Sequence, residues 1–256
     1  MTSHRRISVI AGDPRGIGRA IATRLAPTSD VYLVEHADGA NTSTPAASVP
    51  QNVRTSRIDF ADDAALRAMI DRVAADHGHI DVLINLPIAA PGAGVMDVEP
   101  AEWDQVFALN SHRVFHLMQQ TACVMRDHGG GRVVNVVTSE AKGWWGTQAP
   151  ALAATLSAIT ALGRIAALQL SIDQINVNTV CVGLMVGKKV GSTETFAGTP
   201  VRLPAYMNET KPQRVIPLDR PNGEDDVVAA VEFLVSPGAR NITGQSLNVD
   251  GGLIFD

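Results

Sequence analysis

The chain has 256 residues, of which 45% are hydrophobic and 18% charged, and its formal net charge is -5. This length fits one large α/β domain with a substantial core, and the small acidic excess without any Lys/Arg cluster argues against a nucleic-acid partner. The polar start shows no signal-peptide pattern and no uninterrupted apolar stretch has spanning length, so we expect a soluble cytoplasmic protein with no membrane partner. Cys123 and Cys181 lie in apolar stretches without metal or CxxC spacing, which predicts buried, unreactive thiols.

Short β-rich runs alternate with longer helical runs, which is typical of a parallel sheet covered by helices on both faces. The predicted strands are Ile7–Ala11, Val31–Val34, Val53–Ile58, Val82–Asn85, Val133–Val137, Val177–Val182 and Ser246–Val249. The predicted helices are Gly16–Leu25, Asp63–Asp76, Ala101–Arg126, Pro150–Leu170 and Glu224–Leu234. The irregular segment Gly187–Leu218 is predicted to be a lid over a site or a long connection. The pattern therefore predicts a Rossmann-type, doubly wound parallel sheet in a single domain over residues 1–256.

A glycine-rich loop joins the first predicted strand to the first predicted helix: Gly12-Asp13-Pro14-Arg15-Gly16-Ile17-Gly18. Its three glycines permit a tight turn, close approach of the backbone to a pyrophosphate, and close packing of helix on strand. The helix amino terminus adds N–H donors and a positive dipole. We therefore predict a dinucleotide site that uses Gly12, Arg15, Gly16, Ile17 and Gly18.

Glu35 closes the second predicted strand, at the distance downstream where an acid holds the adenosine ribose. A carboxylate there would repel a 2′-phosphate, so NAD is favoured over NADP if any dinucleotide binds. Arg15 weakens this preference, because its charge would offset a phosphate. The alternative is that Glu35 is a solvated acid at a strand end and that the chain binds no cofactor.

Several motifs resemble those of the short-chain dehydrogenase/reductase (SDR) superfamily. The glycine loop, the segment Arg57-Ile58-Asp59-Phe60, Asn110 within Val106–Asn110, and the strand Gly131–Thr138 each match a family element, as do Ile216–Arg220 and Thr243–Gly252. The resemblance implies that Asp59 and Phe60 contact adenine, that Asn85 lies beside the cofactor, and that Asn110 and Thr138 occupy the positions of the catalytic asparagine and serine.

The family's catalytic tyrosine and lysine have no counterpart in this chain. Aligned without gaps, they fall on Ala151 and Thr155. A phenol protonates an alkoxide only when a nearby ammonium lowers its pKa, and neither alanine nor threonine can replace that pair. The usual Asn-Asn-Ala-Gly reads Asn85-Leu86-Pro87-Ile88, and a threonine near the nicotinamide aligns with Gly187. The resemblance therefore supports the adenosine half of the cofactor pocket better than the nicotinamide half.

Other candidate groups lie in the loop Thr138–Trp145 at the end of the fifth strand. Thr138 or Ser139 is a candidate for polarising a carbonyl, with Asn110 organising water, and Glu140 is a candidate acid or base if burial raises its pKa. Trp144 and Trp145 are candidates for stacking on a flat, polycyclic substrate. The competing interpretation is that the charges of this loop are solvated and that its tryptophans pack against the lid or another subunit.

Two further features concern metals and assembly. His112 and His116 have metal-like spacing one helical turn apart, but no third ligand is evident in the sequence, so they are predicted to be helix-face residues. The helix Pro150–Leu170 is apolar on nearly every face, and the resemblance implies that this helix and Ala101–Arg126 form the dimer interface of a homotetramer. We expect a homo-oligomer, either a dimer or a tetramer, or a hetero-oligomer with an active SDR paralogue.

The sequence is compatible with three functional hypotheses. The first is a non-redox enzyme of isomerase, dehydratase or cyclase type that acts on a small, polycyclic metabolite, as in secondary metabolism, with acid/base groups from Ser139, Glu140 or Tyr206. The second is a silent pseudoenzyme subunit that partners an active SDR. The third is a divergent NAD-dependent oxidoreductase. A halohydrin-dehalogenase relationship is disfavoured, because those relatives keep the tyrosine and lose the glycine loop. Fold alone does not decide among them.

Overall fold

The computed structural model of the chain describes residues 5–12, 14–37, 49–88, 93–142, 149–185, 194–196, 199–201 and 216–255. Its strands are β1 Arg6–Gly12, β2 Ser29–His36, β3 Val53–Ile58, β4 Val82–Asn85, β5 Gly131–Thr138, β6 Ile175–Val182, β7 Glu194–Phe196, β8 Thr199–Val201 and β9 Ser246–Val249. Its helices are α1 Arg19–Leu25, α2 Asp63–His77, α3 Pro100–Phe107, α4 Arg113–Asp127, α5 Pro150–Leu170 and α6 Glu224–Leu234. Every predicted strand is present, and so are the predicted helices, except that Ala101–Arg126 is divided into two α-helices.

Seven of the strands form one parallel sheet in the order β3-β2-β1-β4-β5-β6-β9. The chain runs outward from β1 to one edge and then returns to build the other half beyond β4. This reversal creates a switch point between β1 and β4, where ligands bind at the carboxyl ends of the strands in sheets of this kind. The predicted doubly wound Rossmann-type fold is confirmed.

Helices cover both faces of the sheet and bury two apolar layers. On one face, residues of α1 and α6 such as Ile21 and Val231 pack against the sheet. On the other face, residues of α2 and α4 such as Ile70 and Leu117 do the same, joined by Ala166 of α5. Because both faces are covered, the inner strands are buried along most of their length rather than alternating between buried and exposed residues, as β4 illustrates with four buried residues in succession.

Two predicted helices differ from the structure near the switch point of the sheet. The predicted helix Ala101–Arg126 is α3 and α4 joined by a π-helical turn over Ala108–His112. The predicted helix start at Gly16 lies inside another π-helical turn, Pro14–Gly18, and regular α-helix begins at Arg19. Single π-turns insert one extra residue per turn and commonly mark functional sites. Both of these turns lie at the carboxyl edge of the sheet, next to its switch point.

The predicted burial of the two cysteines is half wrong. Cys181 lies buried in β6, but Cys123 is exposed on α4, because its side of the helix faces away from the sheet. Helix α5 with the turn after it, Pro150–Asp173, is long and apolar enough to span a membrane by length and composition, with a mean hydropathy of 1.6 over an 18-residue stretch. It packs along β5 and β6, so the same composition is also that of a helix at the core of the protein.

Candidate active site and cofactor loop

The glycine loop lies against the end of β4 and depends on glycine for its shape. Gly12 has φ +148°, and a Cβ added there would lie 2.3 Å from the Leu86 carbonyl oxygen. Gly16 has φ +63°, and among the described residues a Cβ added there would contact the Glu224 carboxylate alone, at 3.4 Å. The Ile17 side chain is buried in the core below the loop, so this residue would offer a ligand its backbone alone. The side chain of Arg15 lies outside the described residues.

Glu35 lies directly beside this loop, paired with Gly12 in the register of β1 and β2. Its side chain is buried, which excludes the alternative of a solvated acid at a strand end. Arg57 Nε donates to Glu35 Oε2 at 3.0 Å, and Arg19 Nη2 lies 3.5 Å from Oε1. Oε1 has no hydrogen-bond partner of acceptable geometry among the described residues. A buried acceptor whose contact with Arg19 is long fits a ribose hydroxyl at this place.

The residues expected to contact adenine differ in what they present. The Asp59 side chain is 60% exposed, and its carboxylate accepts from the Ala61 amide at 2.9 Å. Phe60 is fully buried, so its ring lies below the surface of the site, against the His36 ring on one side and the Arg113 guanidinium on the other. Asp59 can therefore reach a ligand through its side chain, whereas Phe60 supports the site from below.

Asn85 and Asn110 are both engaged with the protein. Asn85 Nδ2 donates to Asn135 Oδ1 at 2.9 Å inside the sheet. Asn110 Oδ1 accepts from the Ile88 amide at 2.8 Å, and its Nδ2 donates to the Ile88 carbonyl at 3.1 Å. Asn110 Nδ2 also donates to the carbonyl of Val106, one turn earlier. The π-turn presents Asn110 to the chain leaving β4, so this side chain fixes that segment at Ile88.

Arg113 also contributes to this edge, although no sequence motif points to it. The guanidinium is fully buried, donates from Nη2 to the Leu86 carbonyl at 2.6 Å, and stacks 4.6 Å from the centre of the Phe60 ring. Burial lowers its pKa to about 9. The sequence carried a signal, because Arg113 lies four residues from both Leu109 and Leu117 on the buried face of the helix.

Thr138, Ser139 and Glu140 come together where β5 ends in a 3-10 turn, Ser139–Lys142. All three are buried, and this turn packs against α5. Burial raises the pKa of Glu140, and the nearby Thr138 hydroxyl and the backbone amide of Glu140 itself offset part of that rise. Even so, Thr138 Oγ1 and Glu140 Oε2 make no hydrogen bond of acceptable geometry among the described residues. The site therefore holds a desolvated carboxyl group beside the Thr138 hydroxyl.

The interpretation of this turn as solvated loop charges is wrong within the described residues. Glu140 is 9% exposed, and Lys142 Nζ donates to Asn248 Oδ1 at 2.6 Å and to the Ser246 carbonyl at 3.3 Å. Lys142 thus holds the turn against β9. Trp144 and Trp145 lie outside the described residues, and so do Gly187, Tyr206 and most of the lid segment. Of that segment, the short antiparallel pair of β7 and β8 and residues 216–218 are described.

Comparison with known proteins agrees with the fold and the motifs. The family model described as enoyl-(acyl carrier protein) reductase matches residues 11–254. A short-chain dehydrogenase/reductase of Armillaria gallica is 31% identical, covering 99% of this chain and 98% of its own. The 3-oxoacyl-acyl-carrier-protein reductase FabG of Staphylococcus aureus is 29% identical over 96% of this chain and 97% of its own. Acetoin dehydrogenase YohF of Salmonella typhimurium superposes with a TM-score of 0.78 at 27% identity, covering 97% of each chain. The chain belongs to the short-chain dehydrogenase/reductase superfamily, a family of oxidoreductases.

Proposed function

We propose that this chain is an SDR-fold enzyme in which Glu140, rather than a tyrosine–lysine pair, moves the proton. The reaction proposed is a non-redox conversion of a small metabolite, of isomerase, dehydratase or cyclase type. The observation that carries the proposal is the buried Glu140 carboxyl group, whose pKa is raised and whose Oε2 has no hydrogen-bond partner among the described residues. A carboxyl group with a raised pKa exchanges protons with a carbon acid or an alkoxide more readily near neutral pH.

The positions aligned with the family's tyrosine and lysine support this assignment. Ala151 is buried and carries no titratable group. Thr155 is fully buried, and its hydroxyl donates to the Leu152 carbonyl of its own helix at 2.9 Å. Neither can supply or tune a proton at the site. Thr138, where the family has serine, keeps a hydroxyl next to Glu140 that is the candidate for polarising a substrate carbonyl.

The relatives are named as reductases and dehydrogenases, and this favours a nicotinamide dinucleotide as cofactor. The adenosine half of the pocket fits such a group through Glu35 Oε1, the open Gly16 and the exposed Asp59. When bound, the dinucleotide would supply or accept a hydride. NAD over NADP stays a proposal, because Arg57 and Arg19 neutralise much of the charge with which Glu35 would repel a 2′-phosphate. Calorimetry with NAD, NADH and NADPH distinguishes the two and also tests the loop.

The second candidate is therefore a divergent nicotinamide-dependent oxidoreductase in which Glu140 protonates the alkoxide. The relatives' names favour it. Loss of NADH absorbance with carbonyl substrates would establish this function. If NAD binds and absorbance stays constant across a broad panel of ketones and β-ketothioesters, this candidate is excluded.

Deuterium exchange tests the first candidate without knowledge of the substrate. The protein is incubated in D₂O with a panel of enolisable ketones, β-hydroxythioesters and β-ketothioesters, and label at the carbon next to the carbonyl is followed by mass spectrometry. Glu140→Gln should lower exchange by about 10²–10⁴-fold. Glu232→Gln, which changes an exposed carboxylate on α6, is the matched control and should leave exchange unchanged. Equal exchange by Glu140→Gln and the parent chain would remove Glu140 from the mechanism, and no exchange on any substrate would favour a silent partner subunit.

An oligomer is proposed from the exposed apolar surface of α4 and α5. Phe115, Ile165 and Leu168 are 41%, 56% and 75% exposed, although each is large and hydrophobic. Apolar residues grouped on adjacent helices are typical of a protein–protein interface. Sedimentation of the chain alone, and together with an active paralogue, tests the homo-oligomer against the hetero-oligomer.

A further inference from the structure

A group of three metal-ligating side chains lies on the surface between α2 and α4, apart from the candidate active site. It consists of Asp63, His112 and His116, whose ligand atoms all lie within 4.8 Å of one another. The sequence placed the two histidines one helical turn apart without a third ligand. The fold supplies that ligand, because α2 packs against α4 and brings its first residue to the histidines.

The distances in this group are compatible with a shared metal ion, and His112 Nε2 also makes a long hydrogen bond to Asp63 Oδ2. His112 Nε2 lies 3.4 Å from Asp63 Oδ2, and His116 Nε2 lies 3.6 Å from the same oxygen. Hydrogen bonds from nitrogen to oxygen usually measure about 2.7–3.2 Å. Two ligands of a tetrahedral Zn²⁺ ion, with bonds of about 2.0–2.2 Å, lie roughly 3.3–3.5 Å apart. The two nitrogen–oxygen separations lie close to the second geometry.

The capping of α2 leaves the Asp63 carboxylate to interact with the two histidines. The amino terminus of α2 is capped by Asp62, which accepts from the amides of Ala64 and Ala65, so the cap does not use the Asp63 carboxylate. The His112 and His116 rings lie with centroids 4.4 Å apart, and both present Nε2 to the same carboxylate oxygen. The His116 ring is further held by an edge contact with Phe115. The side chains of Asp63 and His112 are about half exposed, which leaves a path for an ion to enter.

We propose that Asp63, His112 and His116 form a Zn²⁺ site with an open fourth position. Two imidazoles and one carboxylate are a ligand set that suits Zn²⁺ and related divalent transition ions, and three protein ligands leave room for a water. The bound ion would join the first turn of α2 to the first turn of α4. Because α2 begins four residues after Asp59, the ion would also restrain the segment that leads from the adenine side of the site. The proposal does not depend on the function assigned to Glu140.

Titration with Zn²⁺ tests the site directly. The full chain, without a polyhistidine tag and stripped with a chelator, is titrated with Zn²⁺ in a calorimeter. One ion per chain should bind with a micromolar or tighter Kd. Co²⁺ at the same position should show the visible absorption bands of a tetrahedral site. Binding weaker than millimolar, or Co²⁺ spectra of a fully hydrated ion, would overturn the proposal.

Variants locate the ion on these residues. His112→Ala, His116→Ala and Asp63→Asn should each weaken Zn²⁺ binding at least tenfold. The matched controls are His128→Ala, at the far end of α4, and Asp71→Asn, an exposed acid later in α2, and both should bind as the parent chain does. Zn²⁺ should raise the Tm of the parent chain and of both controls but not that of His116→Ala. Undiminished binding in the three ligand variants would show an adventitious ion only and would refute the site.

Discussion

Replacing Arg113 with methionine should leave the protein about as stable as the parent chain or slightly more stable, although the change removes a fully buried side chain. The guanidinium has Nε and Nη1 without partners, and no carboxylate pairs with it among the residues that the structure describes. Burial lowers its pKa from the usual value to about 9. Since one pKa unit corresponds to about 1.4 kcal/mol, keeping this group charged at neutral pH costs roughly 5 kcal/mol.

Two contacts offset most of that cost in the parent chain. A desolvated cation over an aromatic ring contributes about 2 kcal/mol, which applies to the stack on Phe60. A hydrogen bond from a charged donor contributes about 1.5–3 kcal/mol, which applies to the bond to the Leu86 carbonyl. Methionine of similar length removes the cost and both contacts. The expected net change in the free energy of unfolding is therefore about 0–2 kcal/mol in favour of Arg113→Met.

Urea denaturation at pH 7 and pH 10 measures this change. Burial lowers the pKa of Arg113 in the folded chain, so as pH rises the folded parent chain releases this proton before the unfolded chain does, and parent stability rises with pH. Any advantage of methionine should therefore shrink at pH 10. Arg113→Lys is the control, because an ammonium keeps the charge without the planar stack and should be less stable than either. A loss of more than about 3 kcal/mol in Arg113→Met at pH 7 would refute this reasoning.

Three further changes test the carboxyl edge of the sheet. Gly12→Ala should lower the free energy of unfolding in urea by more than about 2 kcal/mol, because the added Cβ would lie 2.3 Å from a backbone carbonyl oxygen. Gly78→Ala, which has open space around it, is the control and should cost about 1 kcal/mol. Asn110→Ala removes both hydrogen bonds to Ile88 and should lower the free energy of unfolding by about 2 kcal/mol. It should also weaken NAD binding measured by calorimetry, and unchanged binding would show that this contact does not support the cofactor site. Burial raises the pKa of Glu140 in the folded state, so the folded state binds a proton more tightly than the unfolded state and stability falls as pH rises above about 4.5. The Tm of Glu140→Gln should therefore exceed that of the parent chain by more at pH 8 than at pH 5. A Tm difference that stays constant with pH would contradict the burial argument.

The elements that the sequence predicts best are those set by local signals. The strands Val53–Ile58 and Val82–Asn85 and the helix Pro150–Leu170 match the structure at both ends. Pro150 sits in the first turn of that helix, where its missing N–H is not needed, so the start was defined by one residue. Apolar runs bounded by such residues carry their own limits and need no knowledge of distant partners.

The features that the sequence could not predict depend on contacts between distant segments. The π-turn over Ala108–His112 breaks a helix whose apolar spacing continues without interruption, and it accompanies the bond from Asn110 to Ile88. The burial of Glu35 follows from Arg57 opposite it on β3, a pairing that the register of two strands decides. In the same way, Asp63 joins His112 only because two helices pack side by side. Local patterns describe elements, whereas the site depends on their relative placement.

The closed packing around Thr155 bears on how easily an ordinary reductase could be rebuilt on this chain. Thr155 is fully buried, and Ala151 one turn earlier is 3% exposed. A lysine installed at 155 would bury its ammonium, and because burial lowers the pKa of an amine, its effect on the pKa of a tyrosine at 151 would be weakened. Changing these two residues alone is therefore expected to be insufficient, and the side chains that pack around position 155 would have to become smaller as well.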